Sequence, residues 1–209
     1  RFGDASVDHG AQHVSARTDA FAATTKGLAA DGIARVWLRT PSLARPERGV
    51  EPRYAAVGGM RRIPEALAVG LEISTAVRVD RLEFDGGTVT AFDEDGALAR
   101  ADAAVVTPPI PQAMDLLRAS GMAATVPEDL AAIGYDATLT VMAVLDGDPG
   151  LPNGHLSLED GPIAWMADNR HKGASALPAI TIHSSPSYAA ARLEDELEAW
   201  MLELLDAAR

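Results

Sequence analysis

Cysteine is absent from the 209 residues. Disulfides, zinc–thiolate sites, iron–sulfur clusters and a cysteine nucleophile are excluded with it. Basic side chains are scarce, 18 Lys and Arg against 30 Asp and Glu, which leaves a net charge of -12 and a pI near 4.7. A phosphate backbone is repelled by such a chain unless a basic stripe concentrates, and the densest basic runs, Arg61-Arg62 and Arg170-His171-Lys172, are too short to form one. No run of about 20 apolar residues is present to span a bilayer, and the opening RFGDASVDHGAQ lacks the regions of a signal peptide. Neither a nucleic acid nor a membrane is therefore expected as a partner, and a cytoplasmic location is. The first residue is not methionine, so either processing or a longer parent chain is expected. What remains is a globular composition, 47% hydrophobic with mean hydropathy near zero. A chain of this size buries about 70% of its unfolded surface, enough for one large domain or two small ones.

The apolar spacing predicts an α+β fold. Val7 to Ser15 reads as a strand, and Thr18 or Asp19 caps a helix that Gly32 ends. Arg35 to Arg39 and Arg53 to Val57 read as strands around a polar loop from Pro41 to Pro52. Ile63, Leu67 and Leu71 recur at helical spacing after the Gly58-Gly59 turn, with Pro64 in the first turn. Val77 to Phe84, Thr88 to Phe92 and Ala97 to Arg100, joined by Asp/Gly-rich connectors, predict a three-stranded meander. Ala103 to Val106 reads as a strand stopped by Pro108-Pro109, Gln112 to Arg118 as a helix, and Leu139 to Leu145, Ile163 to Ala167 and Ala179 to His183 as strands. After the Ser185-Pro186 cap, Leu193, Leu197, Trp200, Met201, Leu204 and Leu205 form one stripe, predicting a continuous last helix.

Chemical motifs are mostly missing. GxGxxG, GxxxxGK[ST], GxSxG, HExxH and the EF-hand loop do not occur. On a strand, His9 and His13 would stand roughly 13 Å apart, too far to share a zinc, so no metal is expected there. His183 reads as a half-buried histidine near a helix start, and Trp165 as core. The group Asp168-Asn169-Arg170-His171-Lys172 reads as a solvated loop that could orient an anionic ligand.

Four segments in this order and spacing resemble the renalase-like branch of the FAD-dependent amine oxidase superfamily: VDHGAQHVSAR from Val7, RYAAVGGMRRIPEALA from Arg53, the meander with ADAAVVTPPIPQA from Ala101, and PIAWMADNRHKGA from Pro162. The resemblance implies a partial chain lacking the amino-terminal GxGxxG unit and a carboxy-terminal flavin-contacting segment. It implies a substrate-binding domain at 17–71 and 113–209, and remnants of an FAD domain at 1–16 and 72–112. By the same likeness Gln12 lies near the flavin ring with Asp8, His9 and Gly10 shaping its turn. Val79 meets the adenine through its backbone, and Thr107 and Pro109 stand beside the dinucleotide. The proline often found at the Gly58 position is absent.

Trp165, Asn169 and His183 fall on segments resembling pocket-lining strands, and Arg170 or Lys172 is expected at a substrate pyrophosphate. No catalytic residue is assigned. The implied activity is transfer of a hydride from a reduced substrate, a dihydronicotinamide dinucleotide or an amine, to FAD, with oxygen as final acceptor. This sequence alone is expected to be inactive, to hold FAD weakly if at all, and to self-associate through a surface the missing residues would cover. The alternative is a stand-alone small-ligand or protein-interaction domain without flavin.

Overall fold

The computed structural model describes residues 3–41 and 49–209. The described chain is α+β, with three small antiparallel sheets and seven α-helices, and it divides into two compact units. The larger combines the segment up to Leu71 with the segment from Asp136 onward; the smaller is Glu72–Tyr135. Residues before Arg17 fall with the larger unit and 113–135 with the meander.

In the larger unit the chain enters through a turn at residues 8–12 and forms β1 (Val14–Ser15), α1 (Asp19–Ala30), β2 (Ala34–Pro41), β3 (Val50–Ala56) and α2 (Arg62–Leu67). Thr18 caps α1 by accepting from the Phe21 amide. Only Val14 and Ser15 of the expected Val7 to Ser15 strand pair with β3. The reason is local: side chains take the backbone polar groups of residues 8–10 before any ladder can. The expected loop from Pro41 to Pro52 is partly strand, because Pro41 pairs with Val50 and Thr40 with Glu51; its 42–48 portion lies outside the described residues. Helix α2 stops at Leu67, so Leu71 is off the helix and exposed.

The register of β2 on β3 shifts between Val36 and Leu38. A bulge there lets two consecutive residues, Trp37 and Leu38, both face the core, where strict alternation would send one to solvent. With Ala55 and Ala167 they form the packed layer of which Trp37 is the largest member.

The second sheet of this unit has the order β7 (Thr140–Val144), β10 (Ala179–Ser184), β9 (Ile163–Asp168), β8 (His155–Ser157). Leu139, Val141, Ile163, Met166, Ile180 and Ile182 make its core, covered by Ala189 and Leu204 from α6 (Pro186–Arg192) and α7 (Leu197–Ala207). The single last helix expected from the leucine stripe is therefore two. Glu196 leaves helical geometry (φ -59°, ψ 132°), and Leu193 and Leu197 are 55% and 64% exposed. Arg192 pairs with Asp195 and Glu203 across the break, and Tyr188 donates to Glu203 at 2.6 Å, so polar contacts between the two helices replace the missing helical turn.

The smaller unit is the expected meander, β4 (Arg81–Asp85), β5 (Thr88–Phe92) and β6 (Ala97–Ala101), with α3 (Ile110–Ala119) and the short α4 (Glu128–Ala131). Leu82, Val89, Ala113 and Met114 are buried, and the Leu82 amide donates to Ser120 Oγ, tying α3 to β4. Residues 77–79 and 103–106, expected as strand, carry no ladder among the described residues, and Val105 is 88% exposed; the Asp80 amide donates to the Phe92 carbonyl just ahead of β4. Apolar β-branched composition is not sufficient for a strand where no neighbour supplies pairing.

Candidate functional site

In the larger unit, the turn Asp8–Gln12 is fixed by residues far away in sequence. The Asp8 N–H donates to Asn169 Oδ1, and its carbonyl accepts from Thr181 Oγ1 at 2.8 Å and Gln12 Nε2 at 2.7 Å. The His9 carbonyl meets His183 Nε2 at 2.8 Å, and the Gly10 carbonyl accepts from Gln12 Nε2 at 2.9 Å. Asp8 Oδ1 accepts from the Met60 amide at 2.8 Å. Gly59 must be glycine for this approach: its φ is +111°, and a Cβ there would stand 3.3 Å from Asp8 Oδ1.

Lys172 closes the arrangement. It lies on the short helix α5 (Asn169–Lys172), which Asp168 caps by accepting from the Arg170 and His171 amides. Asn169 and Lys172 are fully buried, so the expected solvated loop is instead a capped helical turn with its last cation facing inward. Lys172 Nζ donates to Gln12 Oε1 at 2.7 Å and pairs with Asp8 Oδ2 at 2.9 Å, the one partner of that oxygen among the described residues. Burial pushes the Lys172 ammonium pKa down, and Asp8 opposes that shift.

Beside the ion pair is an aromatic group that spacing could not reveal. His13, Trp37, His155 and Trp165 come from four separate segments, yet the His155 and Trp165 ring centroids are 5.0 Å apart and Trp37 meets Trp165 edge-on at 6.2 Å. Lys172 Nζ is 5.5 Å from the Trp37 centroid. One ring nitrogen on each of the four is buried without a hydrogen-bond partner among the described residues. Burial, then the positive charges of Arg53 and Lys172 and neighbouring His155, lower the His13 pKa and favour the neutral ring. His183 is also pushed toward the neutral form, chiefly by burial.

Among residues singled out from sequence, Gln12, Asn169, Lys172 and His183 are joined through this network, with Gly10 in its turn and Trp165 in the adjoining aromatic group. Arg170 is exposed and stays outside it. Of the two cations expected at a substrate pyrophosphate, Lys172 has no exposed surface and is engaged internally, while Arg170 is open. His9 and His13 are not on a strand, which removes the premise of the distance argument, and no group of three metal-binding side chains exists among the described residues. Sequence reasoning missed Trp37, His155, Thr181 and the anchoring role of Asp8. The DHGAQH segment carried the only signal for Asp8; nothing in spacing connects it to residues more than 160 positions away.

In the smaller unit Val79 and Thr107 line one cleft of about 690 Å³, together with Val77, Leu82, Pro108 and Gln112. Pro109 is not in its lining and instead stands at the N-cap of α3.

The larger unit thus carries an ordered turn, a group of four packed rings and a buried ion pair. The family model of the flavin containing amine oxidoreductases matches residues 12–193, and the chain belongs to that family. Its chemistry is accordingly flavin-dependent oxidoreduction. The residues present fit a flavin. His9, Gly10 and Ala11 are exposed, and a Cβ on Gly10 would meet nothing within 4 Å, so a ring can lie on that backbone. The cleft at Val79 and Thr107 has the size of a small-molecule pocket. Among the described residues no helix is long and apolar enough to cross a membrane.

Proposed function

We propose that this chain is the substrate-facing part of a renalase-like, FAD-dependent oxidase that removes a hydride from a reduced small molecule, a dihydronicotinamide dinucleotide in preference to an amine. The observation that carries the reading is the Asp8–Gln12 turn, open on its outer face and locked from behind by Lys172, Thr181 and His183, in a chain matching the flavin family. Gln12 and Gly10 of the larger unit would support a flavin ring. In the smaller unit, taken by itself, Val79 and Thr107 line a cleft whose size suits a nucleoside, and Pro109 stands at the N-cap of α3. The flavin, when bound, supplies the two-electron acceptor: a hydride leaves the substrate carbon with both bonding electrons, and oxygen later takes two electrons and two protons as hydrogen peroxide.

The protein's own contribution is orientation and dryness rather than acid–base work. An ammonium substrate must shed a proton before its C–H hydride departs. The carboxylates tied to this surface are engaged, Asp8 with Lys172 and the Met60 amide, Asp168 with the α5 cap. His183 Nε2 is already tied to the His9 carbonyl, and His13 Nδ1 is buried. A dihydropyridine ring is neutral at its reacting carbon and needs no such base, which favours it. Trp165 offers an aromatic face, Asn169 and His183 hold the turn, and exposed Arg170 is the cation left for a pyrophosphate. The sequence has no GxGxxG motif of the kind that grips a dinucleotide pyrophosphate at a helix start.

Anaerobic mixing of the FAD-loaded protein with dihydronicotinamide dinucleotides and with primary amines tests this. Bleaching of the flavin by a dihydronicotinamide, followed by peroxide release on admitting oxygen, is expected. Bleaching by amines alone would overturn the substrate assignment.

A further inference from the structure

The wiring of the Asp8–Gln12 turn has a direction. The carbonyls of Asp8, His9 and Gly10 are all taken from within, by Thr181, His183 and the Gln12 amide. The N–H groups of His9, Gly10 and Ala11 meet no acceptor among the described residues, and those three residues are exposed. Carbonyl dipoles that would repel an electron-rich ligand are thus neutralised, and amide dipoles that would attract one are left over. Immediately behind, the Lys172 ammonium is bonded to Gln12 Oε1, the same side chain whose Nε2 holds two of the carbonyls. With no exposed surface, Lys172 is little screened by water. Asp8 is its counter-charge, and one carboxylate oxygen of Asp8 is already shared with the Met60 amide.

We infer that the Asp8–Gln12 turn is a donor surface for the carbonyl-bearing pyrimidine edge of the flavin, with the buried Lys172 ammonium as the positioning residue that keeps this surface electropositive. The inference rests on the flavin reading above. Lys172 touches neither ring nor substrate; it acts through Gln12 and through its field. Negative charge arriving on the pyrimidine edge is therefore stabilised, and how strongly depends on the balance between Lys172 and Asp8. The two members of the pair pull in opposite directions, which a merely structural role would not produce.

Sulfite reports that field without turnover. Its sulfur lone pair forms a bond to N5 of the oxidised ring, the yellow absorbance is lost, and the added negative charge settles on the pyrimidine side. In the FAD-loaded protein, Lys172→Met is expected to weaken sulfite binding by about tenfold and to lower the flavin midpoint potential, while Lys172→Arg stays within about threefold of wild type. Asp8→Asn removes the counter-charge and also the group that holds the Lys172 pKa up, so it is read at a pH low enough to keep the ammonium, where it is expected to tighten sulfite binding and raise the potential. Lys172→Met with unchanged sulfite affinity and potential overturns the inference, as does a shift of the same sign in Lys172→Met and Asp8→Asn. Should Lys172→Met fail to retain FAD, the sign of the Asp8→Asn shift decides alone. A wild-type protein that takes up no FAD even at saturating FAD concentration sinks the flavin reading itself, and the inference with it.

Discussion

Lys172 shows what burying one charge demands of its neighbours. Its pair with Asp8 is sealed on the lysine side and only 13% exposed on the aspartate side, so neither charge can turn to water if the other is removed. Lys172→Met is accordingly expected to cost about 3 kcal/mol in a denaturant titration, and the double variant with Asp8→Asn to recover part of that loss, because no lone carboxylate then remains inside. His183 adds a pH dependence. Burial holds its folded pKa below the ordinary 6.5, so the unfolded chain binds the proton first as pH falls. The associated stability is fully present above pH 6.5 and is lost as pH drops below it. His183→Gln keeps a donor for the His9 carbonyl and has no such titration. Its stability should fall less than that of wild type between pH 7 and 5.5, and parallel curves would contradict the assignment. These side chains were individually legible as candidates. Their roles were not, because Lys172 reads as a surface cation until it is known that α5 turns it inward against a residue 160 positions earlier.

At the scale of elements, the sequence spoke most clearly where local chemistry decides. The meander followed from Asp-Gly turns at fixed spacing, and α1 from Thr18 ahead of an apolar period. It misled where a partner decides: 103–106 is apolar enough for a strand but has no ladder among the described residues, and the stripe from Leu193 to Leu205 is interrupted by ion pairs of Arg192 that no period encodes. The interruption is testable. Leu193→Lys or Leu197→Lys should change stability by less than about 0.5 kcal/mol, whereas Leu204→Ala, at a fully buried position, should cost about 2–5 kcal/mol; one continuous buried helix would make all three severe. The α5 turn is equally exposed to test. Its four residues have too few internal bonds to stand alone, and Asp168 Oδ1 accepts from two of its amides. Asp168→Ala should cost about 1–2 kcal/mol and loosen α5, visible as faster exchange of the Asp8 amide that donates to Asn169 Oδ1.

For the whole molecule, charge and exposed apolar surface work against each other. A net charge of -12 keeps copies apart at low ionic strength. Meanwhile, in the smaller unit, Val77, Val79 and Val105 are exposed along extended backbone whose N–H and C=O groups form no ladder, which is the template that another chain can pair with. Salt screens the repulsion over about 8 Å at physiological strength and leaves the apolar term intact, so self-association is expected to grow with added salt rather than fade. Sedimentation velocity of this 209-residue chain at two ionic strengths checks the direction. Val105→Lys, at an 88% exposed position with no packing to lose, should reduce association without changing stability. Association that weakens with salt would instead mean contacts between opposite charges, and the unpaired segments of the smaller unit would not be its cause.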